Sequence, residues 1–276
     1  MISEYKAWYG KTEVFKEQLS EINCIRLYQT LNLKGNPPSF GETVFPMALL
    51  ILGEPSVSIS EVGEDGHPLR GGLIPPITLK RRMFAGGKYD FYFPLRVGDE
   101  VKISYKINNI TRKYGKSGEL IFVNIHKNFY VEKLLCASEI RDIVFTDSNP
   151  KAIPVNAPEK TSEWVEEMKS DPLQLFRFSA LTFNGHRIHY DRTYANEVEG
   201  YPGLVVHGPL LATLLSLFAE KKSNNKLKKF VFKGQFPVFE HQKFTLTGER
   251  IKKNFIKLRV LDHKFQAAIF AEGEFF

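Results

Sequence analysis

Residues Pro209–Ala219 read PLLATLLSLFA, and the expected fold follows from this segment. Proline suits the first turn of a helix, and side chains that are apolar on nearly all sides predict that the helix is buried. Such a helix needs cover around most of its circumference, which a strongly curved antiparallel sheet supplies. Two predicted strands follow it, Phe230–Val238 and Phe244–Glu249, and Lys252–Asn254 is the predicted hairpin turn.

The first half of the chain repeats this order of parts. Pro46–Leu52 is a shorter apolar segment in the place of the helix, and Phe91–Asp99 and Val101–Ile107 are the predicted strands. Lys113–Gly118 is the predicted hairpin turn. The repetition predicts that one α+β unit is present twice, and two such units can pair edge to edge into a continuous sheet.

A polar, proline-bearing stretch over residues 147–160 lies between the two copies. Prolines and short polar side chains are typical of a connecting segment. The sequence thus predicts an N-terminal domain over residues 1–150 and a C-terminal domain over residues 151–276.

The composition is that of an ordinary globular protein. Hydrophobic residues make up 43% of the 276 residues and charged residues 25%. No apolar run approaches the roughly 18 residues of a membrane-spanning helix, and Met1–Lys6 lacks the pattern of a secretory signal. Cys24 and Cys136 are predicted to be buried thiols in a reducing compartment, so the expected location is the cytoplasm.

The net charge of +7 is spread along the chain rather than gathered in one dense block. Lysines lie at predicted turns and strand edges, without the interleaved aromatic residues of a nucleic-acid platform. One interpretation is a solvated basic surface. The other is attraction of an anionic ligand, such as the phosphates of coenzyme A or an acidic carrier protein. Neither nucleic acid nor a membrane is an expected partner.

The segment Asn184–Asp191, NGHRIHYD, concentrates groups that can do chemistry. An imidazole is the side chain whose pKa lies closest to neutral pH, which suits general acid–base catalysis. A polar loop that only satisfies its own backbone is the alternative. A metal site at His186 and His189 is not favoured, because no cysteine lies nearby and the segment's one carboxylate follows two residues later.

A second element, Val206-His207-Gly208, leads directly into the buried helix. The amides of a helix's first turn lack internal partners, and a glycine lets a ligand approach them. They would stabilise a thioester oxygen as it becomes enolate-like. Alternatively, Gly208 only permits a tight turn. The N-terminal counterpart, Glu42–Pro46, has neither histidine nor glycine, which predicts one active site per chain.

The segment Phe178–Asp191, FSALTFNGHRIHYD, together with Val206–Gly208, resembles the MaoC-like family of (R)-specific enoyl-thioester hydratases and 3-hydroxyacyl-thioester dehydratases. Within it, the chain is most similar to the branch of the mesaconyl-CoA hydratases and the mitochondrial type 2 dehydratases. The resemblance implies a double hot-dog fold with a degenerate N-terminal and a catalytic C-terminal domain. The general family has an Asp five residues before the catalytic histidine, where this chain has Asn184.

The resemblance also implies roles for five catalytic candidates. His189 is expected to move the proton, and Asn184 to position the water or the departing hydroxyl. The amide of Gly208 is expected to donate to the thioester carbonyl. His186 or Asp191 would tune the site or replace part of the missing carboxylate function.

Four further residues are expected to contact the substrate or support the site: Arg187, Tyr190, Val206 and His207. Arg187 would pair with the carboxylate of a dicarboxylic acyl group such as mesaconyl, or else form a salt bridge within the fold. The resemblance implies a hydro-lyase that needs no metal or redox cofactor, with coenzyme A entering as part of the substrate. A thioesterase, a non-catalytic acyl-thioester-binding protein and a homodimer remain open as alternatives for activity and assembly.

Overall fold

The computed structural model of the chain describes residues 2–115, 118–148 and 162–276. Its helices and strands, in chain order, are β1 (Thr12–Gln18), α1 (Glu21–Thr30), β2 (Arg81–Phe91), β3 (Glu100–Gly115), β4 (Gly118–Val131), β5 (Leu134–Thr146), β6 (Trp164–Lys169), α2 (Pro172–Leu181), α3 (Gly208–Ser223), β7 (Leu227–Gly234), β8 (Lys243–Lys252), β9 (Phe255–Leu261) and β10 (Ala267–Phe275). None of the helices in these described ranges is long and apolar enough to cross a membrane.

The ten strands form one antiparallel sheet in the order β1-β3-β4-β5-β2-β7-β10-β9-β8-β6. This order is a palindrome, because each strand of the first half has its counterpart at the mirrored position, with β2 and β7 meeting at the centre. Residues 86–90 of β2 pair there with residues 229–233 of β7. The predicted duplicated α+β unit is confirmed. The predicted boundary between residues 150 and 151 lies outside the described residues.

The two halves differ in the element that the sheet wraps. In the C-terminal half it is α3, whose side chains are buried on nearly all sides, as its sequence predicts. In the N-terminal half the predicted helical segment is a six-residue 3-10 helix, Pro46–Ile51. It ends early because Gly53 takes a left-handed φ of +74° and Pro55 disfavours helix in the residue before it. Among the described residues, none forms a long central helix on the N-terminal face of the sheet.

Two predicted strands are displaced. The strand expected at Phe91–Asp99 lies upstream, as β2, and ends at Phe91; the strand expected at Phe230–Val238 ends at Gly234. In both cases a Phe-Pro pair follows the strand, and proline cannot donate a hydrogen bond to a sheet ladder. The predicted strands at Val101–Ile107 and Phe244–Glu249 are confirmed within β3 and β8.

Both predicted hairpins occur in the sheet. The turn at Lys252–Asn254 is confirmed between β8 and β9, and β3 pairs with β4 on either side of residues 116–117, which lie outside the described residues. Cys24 and Cys136 are both buried free thiols, as predicted.

A row of polar side chains divides the core on one face of the N-terminal half of the sheet. Tyr105, Lys127, Glu139 and Tyr89 are neighbours across β3, β4, β5 and β2. Apolar clusters lie on either side of this row: one includes the buried face of α3, and the other is covered by the long segment between Gly53 and β2. A polar boundary thus runs beside the space that a second central helix would occupy.

Candidate active site

His189 lies in the short helical turn Arg187–His189, which follows α2. Its ring nitrogen Nδ1 is 2.7 Å from the carbonyl oxygen of Val205. A carbonyl only accepts hydrogen bonds, so Nδ1 carries the proton, and Nε2 of the neutral ring keeps its lone pair. The residue is 7% exposed and lines a large cavity. The turn therefore holds one imidazole with a defined tautomer beside an enclosed space.

Burial determines the protonation state of this ring. It lowers the pKa of His189 to about 4, and the hydrogen bond to Val205 opposes that shift only in part. At neutral pH the imidazole is uncharged, and Nε2 can accept a proton from a water or a carbon acid.

Three further imidazoles surround His189. The His207 ring stacks on it with centroids 3.6 Å apart, and the His186 ring meets it edge-on at 5.5 Å. His67 packs against His186 at 4.6 Å. Burial lowers the pKa of each of these three rings well below its ordinary value, and the nearby Arg82 guanidinium adds to the effect on His67 and His186. The four rings form a neutral stack at physiological pH.

His67 belongs to the N-terminal half, from which the sequence predicted no chemical group. It lies in a turn that docks on the predicted catalytic segment, where the amide of Arg187 donates to the carbonyl of Asp65. Gly66 and Gly185 meet backbone to backbone, and a Cβ on Gly185 would lie 2.3 Å from the Gly66 oxygen. This contact explains the glycine of the Asn-Gly-His motif. The sequence does indicate a turn over residues 63–67, from its two glycines, but it does not indicate that this turn packs against the Asn184–Asp191 segment.

The first turn of α3 faces the same cavity. Gly208 opens the helix, and its amide donates no hydrogen bond to another described residue. A Cβ there would have Phe84 Cδ1, at 3.9 Å, as its nearest contact, so the glycine borders open space. Val206 lines the cavity too, and its amide is fixed by the carbonyl of Val238. An amide at the positive end of a helix is thus exposed to a ligand in the cavity.

The cavity has a volume of about 740 Å³ and lies between the two halves. Of the predicted site residues, it brings together Asn184, His186, His189, Val206 and Gly208. The Asn184 side-chain oxygen accepts from the amide of His186 at 3.1 Å, which commits one end of the side chain to holding the motif.

The other predicted residues do not line the cavity. Arg187 binds Asp191 through two guanidinium nitrogens, and the second oxygen of Asp191 accepts from the amide of Tyr194. The hydroxyl of Tyr190 donates to the carbonyl of Gly185. The structure thus shows the alternative arrangement for Arg187, a salt bridge within the fold, and leaves Asp191 without a free oxygen to act as base.

His207 is fully buried behind His189 rather than exposed to the cavity. Its Nε2 is 2.8 Å from the hydroxyl of Ser179, while Nδ1 has no partner among the described residues. The His207 ring therefore supports the His189 ring from behind and does not itself contact the cavity.

The N-terminal wall of the cavity is charged. Lys127 and Arg141 share the carboxylate of Glu54, at 2.7 and 2.8 Å, and Arg141 also binds Glu139 at 2.8 Å. Burial would raise the pKa of Glu54, but the two cations outweigh it and hold that pKa at about 2. Arg82 lies on the same wall. These charged side chains lie among apolar ones of the same half, such as Met83 and Phe84, so the N-terminal wall offers both charge and apolar surface.

A metal ion has no evident place in the described ranges, where no group of three or more histidine, cysteine or carboxylate side chains is arranged to hold one.

Comparison with known proteins gives consistent matches. The model of the family described as hydroxyacyl-thioester dehydratase type 2 matches residues 48–240. The mesaconyl-C(4)-CoA hydratase of Chloroflexus aurantiacus is 40% identical over 256 residues, which are 90% of this chain and 91% of that protein.

Two solved structures share the fold. A MaoC-like dehydratase from Phytophthora capsici superposes with a TM-score of 0.72 at 14% identity, covering 100% of this chain and 99% of that one. A conserved hypothetical protein of Mycobacterium tuberculosis, described as having a double hotdog fold, has a TM-score of 0.58 at 13% identity, with 97% and 96% covered. The predicted double hot-dog fold is confirmed.

Proposed function

Because this chain belongs to the hydroxyacyl-thioester dehydratase type 2 family, as its motifs predict, we propose that it reversibly hydrates the enoyl-thioester of a short dicarboxylic acid such as mesaconyl-CoA. The chain is a hydro-lyase acting on acyl-thioesters, in agreement with the predicted class. The 40% identity to a mesaconyl-C(4)-CoA hydratase supports the acyl group proposed.

One observation carries the mechanism: the free Nε2 of His189 and the unpartnered amide of Gly208 line the same cavity. In hydration, Nε2 removes a proton from water as the water oxygen bonds to the β-carbon. Negative charge moves onto the thioester oxygen, where the Gly208 amide and the helix dipole stabilise it. The protonated Nε2 of His189 then delivers that proton to the α-carbon as the enolate collapses, which restores the neutral imidazole, and the reverse sequence expels water.

The remaining residues position these two groups. Asn184 lines the cavity beside His189, and we assign its side-chain amide to holding the water or the hydroxyl. His186 and His207 fix the plane of the His189 ring by their contacts with its edge and its face. Arg187 and Asp191 serve to hold the turn through their ion pair.

The proposal requires no metal or redox cofactor, because the thioester carbonyl itself acidifies the α-position. Coenzyme A enters as part of the substrate. A carrier-protein thioester, a homodimer and a cytoplasmic location stay predictions.

Loss of the enoyl-thioester absorbance tests the proposal, measured with crotonyl-CoA, mesaconyl-CoA and itaconyl-CoA. Wild type is expected to remove the band without releasing free thiol, and His189→Ala to remove it far more slowly. His263→Ala is the matched control, since His263 is exposed and outside the cavity. Free CoA released at the rate of band loss would establish a thioesterase instead, and binding without turnover would establish a binding protein.

A further inference from the structure

Arg82 presents a guanidinium to the cavity without an ionic partner. It lies on β2 just before a bulge between Phe84 and Gly86, and β2 pairs with β7 only from Gly86 onwards. The segment that carries Arg82 is therefore paired on one side alone, and residues 82–85 all line the cavity. The side chain makes no hydrogen bond or salt bridge with any other described residue.

The neighbouring charges are neutralised without it. Two buried cations, Lys127 and Arg141, face two carboxylates, Glu54 and Glu139, in direct contact. Arg82 lies beside this cluster of two cations and two carboxylates as a third cation, and it forms no ion pair with any described carboxylate. Arg82 is half-buried and faces the cavity, and charged groups in such places are usually paired, so its guanidinium is available to an anion in the cavity.

Other arginines near the cavity are already engaged. Arg70 donates to the carbonyls of Ile77 and Leu79, and Arg187 binds Asp191. Arg81, the neighbour of Arg82 on the strand, binds Glu199 at 2.7 Å. Of the described arginines that line the cavity, Arg82 is the one whose guanidinium remains available.

The substrate has two anionic parts, the acyl carboxylate and the CoA phosphates, and the position of Arg82 indicates which of them it would meet. Arg82 lines the cavity together with His186, whose ring contacts that of His189, and with His67, whose ring contacts that of His186. The positive charge of Arg82 also lowers the pKa of the His67 and His186 rings. The β-carbon must lie near Nε2 of His189 during hydration, so a group close to these imidazoles meets the acyl part. In a mesaconyl-C(4) thioester the second carboxylate is attached directly to the β-carbon, whereas the CoA phosphates lie at the far end of the molecule.

We propose that Arg82 binds the free carboxylate of the acyl group and so selects dicarboxylic over monocarboxylic thioesters; this inference rests on the proposed function. A guanidinium binds a carboxylate through two parallel hydrogen bonds, which fixes orientation as well as charge. It would hold the β-carbon beside His189 with one face towards the water. The N-terminal half, which has no catalytic base, then supplies the specificity of the site.

Two thioesters that differ at a single group provide the test. Mesaconyl-C(4)-CoA and 3-methylcrotonyl-CoA differ only in a carboxylate or a methyl group on the β-carbon. Arg82→Gln is expected to lower kcat/KM for the first by about 30-fold or more, the loss typical of a buried charge pair, while turnover of the second changes little. Arg82→Lys should retain part of the preference, because lysine keeps the positive charge but cannot form the two parallel hydrogen bonds of a guanidinium.

Binding of unreactive analogues tests the same point without turnover. Calorimetry with succinyl-CoA and butyryl-CoA is expected to show weaker binding of succinyl-CoA alone in Arg82→Gln. Unchanged butyryl-CoA binding shows that the variant is folded. The charge control is Arg26→Gln, which removes an exposed arginine on α1, outside the cavity, and should alter neither affinity.

The outcomes distinguish this inference from the proposed function. If wild type hydrates mesaconyl-C(4)-CoA and Arg82→Gln keeps the full preference, the function stands and the role of Arg82 is overturned. Equal losses on both thioesters would also overturn it, by showing a structural role. If wild type hydrates neither thioester, the proposed function itself fails.

Discussion

Acidification tests the neutral state of the stacked imidazoles. Burial holds the pKa of His189 at about 4 in the folded chain, whereas an unfolded chain returns the ring to its ordinary value near 6.5. Between these values the unfolded chain binds a proton that the folded chain excludes. The contribution of neutral His189 to stability is therefore fully present above about pH 6.5 and is lost as the pH falls towards 4.

The magnitude follows from these two pKa values. Proton uptake by the unfolded chain lowers the free energy of unfolding by about 0.2 kcal/mol at pH 7 and by about 2 kcal/mol at pH 5. Acidification from pH 7 to pH 5 therefore removes about 2 kcal/mol of stability through His189. His67, His186 and His207 have pKa values lowered in the same direction, so each adds to the loss.

Urea unfolding at pH 7 and pH 5, followed by tryptophan fluorescence, measures this loss. His189→Gln removes the contribution of this ring, so its free energy of unfolding should fall between the two pH values by about 2 kcal/mol less than that of wild type. His263→Gln, at an exposed position, should behave like wild type. If wild type and His189→Gln lose the same free energy, His189 does not have a lowered pKa and the account of a neutral stack is wrong.

Two glycines give opposite expectations. In Gly208→Ala the new methyl group meets no atom closer than 3.9 Å, so urea unfolding should show unchanged stability or a gain of about 0.5 kcal/mol. The same methyl group lies where the thioester oxygen would bind, so kcat/KM should fall at least about 10-fold. Unchanged turnover would show that the Gly208 amide has no part in the mechanism. Gly185→Ala places a Cβ 2.3 Å from the Gly66 oxygen, so the same assay should show a loss of about 1–3 kcal/mol, with reduced turnover as the two loops separate. Wild-type stability in Gly185→Ala would contradict the docking of the N-terminal turn.

The sequence predicts those parts of the fold whose pattern is strong and local. PLLATLLSLFA is apolar on nearly all sides, and it lies within α3, which continues to Ser223 before Asn224 ends it in a left-handed conformation. The strand β2 was missed because Gly86, Gly87 and Asp90 oppose strand propensity. It forms nevertheless because β5 and β7 pair with it from both sides.

The site was predictable in one half only. Asn184, His186, His189 and Gly208 come from two short motifs, and the cavity brings them together. His67 joins them from more than 100 residues away, and only the tertiary fold creates that proximity. The pairing of Arg187 with Asp191 was, by contrast, visible in the sequence, because residues four apart are neighbours on a helical turn.

Loss of the second central helix connects the fold to the chemistry. In the C-terminal half, α3 fills its side of the sheet and presents the Gly208 amide, which leaves little freedom to vary the wall around it. In the N-terminal half the short 3-10 helix leaves the sheet face open, and the row from Tyr105 to Tyr89 places paired charges there. An apolar group placed directly against these charged side chains would remove water from them without replacing its hydrogen bonds. A carboxylate would instead complete the charge balance. If the proposed function holds, the C-terminal half supplies the groups for proton transfer and the N-terminal half determines which acyl group fits.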